Sequence, residues 1–328
     1  MLTEFKWQGR TDEEDGKQGL RWHQVMNSTN SEPNLPNCHL LGLACDLGVK
    51  ENKGRVGAQN GPKEIRSVLA NLPYQYNVNL HDRGDINAQS NLADCQQEYA
   101  QEVANSLQQS TFVIGLGGGH EIAWGSYLGL HQAFNHTDAP TAGQKRIGII
   151  NFDAHFDLRK PAPNASSGTP FRQIFQHCAD NTSAFHYACL GVSRTANTRA
   201  LFEFALQSNT QFLLDENCCL ESAQSLLLPM LREIDVLYVT ICLDAFPSDI
   251  APGVSAPSSL GINTKFVLET LRWLASQQTI LGYQWPLMDI AELNPKYDID
   301  QRTARLAARL VFESIDARFS FKRLHPSM

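Results

Sequence analysis

The stretch RIGIINFDAHFD (146–157) decides the reading of this chain. Ile147 to Phe152 is apolar but for Asn151 and reads as a strand buried on both faces. It ends in three strong metal ligands, Asp153, His155 and Asp157, at i, i+2 and i+4. In an extended chain these side chains point to one side. Two carboxylates and an imidazole converging there repel one another or go unsatisfied unless a cation joins them.

Outward from this strand the same rhythm repeats. Strands are expected in LLGLA (40–44), TFVIG (111–115), FHYACLGV (185–192), QFLLD (211–215), DVLYVTICLD (235–244) and within TILGYQWPLMDI (279–290). Between them lie amphipathic segments: GPKEIRSVLANL (61–72), residues 92–110, the stretch after Gly119, FRQIFQHC (171–178), NTRALFEFALQSN (197–209), a Leu-rich run up to Arg232, TKFVLETLRWLASQ (264–277) and DQRTARLAARLVFESI (300–315). Pro62 stands at the head of the first, where its missing N–H costs nothing. Strands alternating with helices predict an α/β fold with a mostly parallel central sheet. No composition break marks a second domain, so residues 1–328 are read as one domain. Residues 1–37, polar and rich in Asn, Pro and Gly, are read as a surface arm.

The 328 residues carry a net charge of −7 and 42% hydrophobic content, enough for a real core, with 19% charged residues. No Lys/Arg run appears, which argues against a nucleic-acid partner. No apolar run reaches membrane-spanning length, and the start, MLTEFKWQGRTDEEDG, has no apolar core for a signal peptide. Eight scattered cysteines without a CxxC pair read as free thiols of a reducing compartment. A cytoplasmic protein with a small-molecule substrate is the expectation.

Three further motifs follow strands. Gly117-Gly118-Gly119-His120 lets the chain turn sharply and approach a ligand closely. Cys242-Leu243-Asp244 ends the DVLYVTI run, with Cys242 and Asp244 on one face. Asp289-Ile290-Ala291-Glu292-Leu293-Asn294-Pro295 follows the last strand, and Pro295 keeps Glu292 out of a helix interior. In open α/β sheets the carboxyl ends of strands gather such residues into one site. Oxygen and imidazole donors with one sulfur suit Mn²⁺, Co²⁺, Fe²⁺ or Mg²⁺ better than a structural zinc site. Such a set is large enough for two ions that activate water for hydrolysis.

GGGH (117–120), DAHFD (153–157), CLD (242–244) with APG (251–253), DIAELNP (289–295) and GAQNGPKEIR (57–66) together resemble the ureohydrolase superfamily of arginase, agmatinase and formimidoylglutamase, over about residues 40–312. HFDLR (155–159), SSGTPFRQ (166–173) and APGVSAP (251–257) place the likeness nearest the formimidoylglutamases. Arginases carry a histidine in the segment matching Gly168–Phe171; this chain has none, and Phe171 falls near that position. The resemblance implies a three-layer αβα, arginase-like fold and a pair of manganese ions. One ion would be held by His120, Asp153, Asp157 and residue 242, the other by Asp153, His155, residue 242 and Asp244. The family has a bridging acid at the place of Cys242. A thiolate there is softer and offers one donor atom, so the occupancy of the manganese pair turns on Cys242.

The implied reaction is hydrolysis of N-formimidoyl-L-glutamate to L-glutamate and formamide, in histidine degradation, by metal-activated hydroxide. Glu292 would hold the cationic formimino group. Arg159 and Arg172 are candidates for gripping substrate carboxylates bidentately, with Ser167, Thr169 and Arg194 as further substrate contacts on the same loops. The resemblance also implies a homo-oligomer. Two alternatives stand beside this reading. One is a guanidine hydrolase of the agmatinase or arginase type. The other is a metal-poor homologue with a binding role.

Overall fold

Eight parallel strands form one sheet in the computed structural model, which describes residues 2–28, 32–88, 90–135 and 144–319. In chain order they are β1 (Asn37–Ala44), β2 (Asn79–Asn87), β3 (Phe112–Gly117), β4 (Ile147–Phe152), β5 (His186–Val192), β6 (Gln211–Leu214), β7 (Val236–Cys242) and β8 (Gln284–Ala291). Across the sheet the order is β2-β1-β3-β8-β7-β4-β5-β6. The strands β3, β4 and β7 are buried at every residue, because helices cover both faces.

The helices are α1 (Trp22–Val25), α2 (Leu47–Glu51), α3 (Gly61–Leu69), α4 (Leu92–Gln109), α5 (Ile122–Asn135), α6 (Pro170–Asp180), α7 (Arg199–Gln207), α8 (Leu220–Leu231), α9 (Thr264–Leu281) and α10 (Arg302–Phe319). Two apolar clusters lie on the two sides of the sheet. One takes Trp22 of α1, Ile65 and Leu69 of α3, Leu227 of α8, Leu271 of α9 and Leu310 of α10. The other takes Tyr99 of α4, Leu130 of α5, Ile174 of α6 and Ala205 of α7. This is the expected three-layer αβα architecture. Among the described residues, no helix is long and apolar enough to cross a membrane.

Three features differ from the sequence reading. The strand β2 was not expected. It is an edge strand of sequence NLHDRGDIN, paired on one side with β1, so its polar residues need no buried partner across the sheet. The stretch after β1, read as a polar Gly-rich run, contains the short helix α2. The N-terminal arm is packed rather than loose. Thr3 pairs with Asp85 of β2, the Trp7 indole N–H donates to Asp82 at 2.9 Å, and Trp22 is fully buried with its ring edge-on to Tyr76. Polar composition concealed these anchors, among them the buried Trp22 and the partly buried Trp7. Residues 1 and 29–31 of that arm lie outside the described residues.

Candidate metal centre

Strand order explains why distant motifs meet. The neighbours β3, β8, β7 and β4 run parallel, so their carboxyl ends open on one edge of the sheet. His120 follows β3, Glu292 follows β8, Cys242 and Asp244 end and follow β7, and Asp153, His155 and Asp157 follow β4. The successive strands β3 and β4 are parted by β8 and β7, and a crevice at such a switch in strand order is where open α/β sheets bind ligands.

The turn after β3 is glycine because nothing larger fits. A Cβ on Gly118 would stand 1.8 Å from the Cys45 carbonyl oxygen, and one on Gly119 would stand 1.9 Å from Glu121 Oε2. That close passage leaves His120 buried at the start of α5. Its Nδ1 lies 2.9 Å from Asp153 Oδ2 and 2.9 Å from Asp157 Oδ2. On the other side of Asp153, His155 Nδ1 lies 3.4 Å from Asp153 Oδ1 and 3.1 Å from Asp244 Oδ2. The donor atoms fall into two trios, His120–Asp153–Cys242 and Asp153–His155–Asp244, each within 4.8 Å of one another. Asp153 is common to both. Two ligands of one ion, each about 2.0–2.3 Å from it, sit up to about 4.6 Å apart, so both trios have the right spread.

The electrostatics demand a cation. Burial pushes the carboxyls of Asp157, Asp244 and Glu292 upward, Asp157 to about 6, with neighbouring carboxylates adding to the effect. Burial and the carboxylates of Asp153 and Asp244 also push the Cys242 thiol well above its usual range. For His120, burial works downward, but the hydrogen bonds and charges of Asp153 and Asp157 outweigh it and hold the imidazole well above its ordinary value. Asp244 Oδ1 and Glu292 Oε2 are buried with no hydrogen-bond partner. Unpaired polar atoms at such depth are costly, and a divalent cation relieves them together. The residues therefore fit a pair of metal ions.

Around the ligands lies a frame that orients them. His120 Nε2 is 3.0 Å from Thr240 Oγ1, which leaves Nδ1 to face the carboxylates. Asn151 donates to Asp153 Oδ2 at 3.2 Å, and the His155 backbone N–H donates to Asp153 Oδ1 at 2.7 Å. Phe171 is fully buried, edge-on to the His120 ring and stacked on Tyr187 at 4.3 Å. Glu292 Oε1 accepts the His120 backbone N–H at 2.9 Å, so its other oxygen is free for a ligand. Thr240, Asn151 and Phe171 in these orienting roles were missed in the sequence. The signal was present for two of them: Asn151 and Thr240 stand two residues before Asp153 and Cys242, on the same side of their strands.

The expected substrate residues lie apart from this group. Arg159 is exposed, and its backbone N–H donates to the Gly168 carbonyl at 2.9 Å. Arg172, on α6, stacks its guanidinium on the Phe204 ring at 3.4 Å. Both line a cleft of about 440 Å³, whose charged residues are Lys53, Arg159, Lys160 and Arg172 against one acid, Glu51. Thr169 closes a turn with Ser166 at the head of α6, and the Ser167 backbone N–H donates to Gly48 of α2. Arg194 is exposed on the loop after β5.

The sequence matches the arginase family over residues 36–316. It is 44% identical over 315 residues to a formimidoylglutamase of Ralstonia nicotianae, covering 94% of each chain. It is 45% identical over 311 residues to one of Hahella chejuensis, covering 93% of this chain and 92% of that one. Among solved structures, Trypanosoma cruzi formiminoglutamase with Mn²⁺ superposes with a TM-score of 0.76 at 21% identity, covering 91% of this chain and 98% of that one.

Proposed function

Because this chain belongs to the arginase family, we propose that it hydrolyses N-formimidoyl-L-glutamate to L-glutamate and formamide. The observation that carries the reaction type is the pair of donor trios sharing Asp153 at the open edge of the sheet. Relatives of nearly equal length at 44–45% identity carry the substrate. His120, Asp153, Asp157 and Cys242 would hold one divalent ion, and Asp153, His155 and Asp244 the other. Manganese is the metal of the Trypanosoma cruzi formiminoglutamase whose fold this chain shares, and it is the proposed metal here. Ions bound there would supply an acidified water as nucleophile.

The chain's own residues do the rest. The unpartnered oxygen of Glu292 offers a buried acceptor to the cationic formimino group, a charge-assisted contact. Burial and the neighbouring carboxylates push the Glu292 carboxyl upward, and a cationic group beside it would favour its ionised form. Asp244 would take a proton from the attacking water and pass it to the glutamate nitrogen, which then leaves as the amine while the formimino carbon becomes the carbonyl of formamide. The cationic cleft of Lys53, Arg159, Lys160 and Arg172 suits a substrate bearing carboxylates. In this role Arg159 and Arg172 grip carboxylates while Ser167, Thr169 and Arg194 shape the loops that carry them. The same proposal has the chain working as one domain and in copies of itself, on a small molecule.

The test is a substrate panel on manganese-reconstituted protein: formimidoylglutamate, agmatine, arginine and guanidinobutyrate. Formamide release from the first alone is expected. Urea from any other overturns the formimino reading, and absence of both turnover and bound metal favours a binding role instead.

A further inference from the structure

Cys242 is a chemically odd member of its cluster. Two other buried cysteines of this chain satisfy their thiols on backbone carbonyls: Cys95 on Asn91 at 3.2 Å and Cys189 on His155 at 3.3 Å. Cys242 instead faces carboxylates. Its sulfur lies within 4.8 Å of donor atoms of His120 and Asp153. A small apolar packing residue has no reason to sit beside a buried imidazole and a buried carboxylate. A metal ligand does, and its sulfur groups with the donor atoms of His120 and Asp153.

The two trios then differ in kind. His120–Asp153–Cys242 offers nitrogen, oxygen and sulfur. Asp153–His155–Asp244 offers nitrogen and oxygen alone. Thiolates favour zinc, cobalt and iron over manganese, whereas carboxylates suit manganese.

We propose that the two metal positions are unequal, the Cys242 side selecting a sulfur-loving ion such as Zn²⁺ and the His155–Asp244 side accepting Mn²⁺, so that the centre fills as a mixed pair. On binding, the Cys242 thiol gives its proton to solvent and the sulfur's lone pair forms the bond to the ion, with no change of oxidation state. The proposal rests on the metal-dependent reading of this centre and is independent of the substrate.

The full chain, stripped by chelation and titrated with Co²⁺, is expected to develop a thiolate-to-cobalt charge-transfer band in the near ultraviolet. Cys242→Ser and Cys242→Asp are expected to lose that band while still binding cobalt, with melting curves confirming that both remain folded. In a second measurement the chain is loaded with Mn²⁺ and titrated with Zn²⁺ under electron paramagnetic resonance. Zinc is expected to displace part of the manganese and to turn a coupled-pair spectrum into that of isolated Mn²⁺. In Cys242→Asp the same displacement is expected to need about tenfold more zinc or higher. Cobalt bound by the wild type without the band, or equal zinc requirements in wild type and Cys242→Asp, overturns the proposal while leaving the hydrolase reading intact. A chain that binds no ion overturns both.

Discussion

Asp157 and Glu292 share a backbone peculiarity, with φ of 46° and 73°. Such left-handed conformations cost a non-glycine residue about 1–3 kcal/mol and persist only where surrounding contacts enforce them. Here the Asp157 carbonyl accepts the Phe171 N–H at 3.2 Å, and the Glu292 N–H donates to Gly118 at 2.8 Å. The strain turns both carboxylates back over the sheet edge instead of letting the chain run on extended. Thr240 does the matching work for His120 by holding its Nε2. Replacing it, Thr240→Val, keeps the shape and removes the partner. Metal affinity is expected to fall about 10- to 100-fold with little change in melting temperature of the metal-free protein, measured by calorimetric titration. Unchanged affinity would show that Phe171 packing alone orients the imidazole. The period of two made Asp153, His155, Cys242 and Asp244 legible in the sequence, because alternation fixes which side chains share a face. It says nothing about left-handed turns at non-glycine residues. Nor does it say which arginine of the cleft stacks on Phe204.

At the scale of elements, the informative failure is β2. Its sequence lacks the apolar run that marked β3, β4 and β7, since an edge strand buries little. What fixes it in place is Arg66 of α3, fully buried and bonded to Asp82 at 2.9 Å and to Asp85. Sequence periodicity placed Arg66 on a helix but gave no reason for a buried guanidinium. Arg66→Ala strands two carboxylates, and breaking such a buried pair costs about 3–5 kcal/mol. A denaturant midpoint lowered accordingly, with metal binding retained in the folded fraction, is the expected result. The same sheet edge carries a pH dependence. His39 of β1 is in register with His81 of β2, ring centroids 5.4 Å apart. Burial, with His81 and Arg83 adding, lowers His39 from 6.5 to about 4. The folded state therefore prefers the neutral ring while the unfolded chain takes a proton. Stability is complete above about pH 6.5 and is lost as pH falls towards about 4. Thermal melts of His39→Gln across that range are expected to show a shallower fall than wild type, and parallel curves would assign the loss elsewhere.

For the whole molecule, the strand order β3-β8-β7-β4 brings four loop ends together and with them Asp153, Asp157, Asp244 and Glu292. Each loop is anchored by a strand running through the centre of the sheet, so the site cannot relax its mutual repulsion by letting one loop drift away. Without cations, the cost of crowding these acids falls on the fold as a whole, and the raised carboxyls of Asp157, Asp244 and Glu292 are its local expression. Bound ions reverse the sign. An ion at about 1,000 times its dissociation constant adds about 4 kcal/mol of stability. Chelation is accordingly expected to lower the melting temperature by several degrees, and restored Mn²⁺ to recover it. Asp153→Asn separates this from a nonspecific effect of the chelator. It removes the one carboxylate common to both trios, which weakens metal binding and also lessens the repulsion. The variant is expected to respond little to either chelator or metal. A variant that still gains several degrees on adding Mn²⁺ would show that the centre is built around another residue.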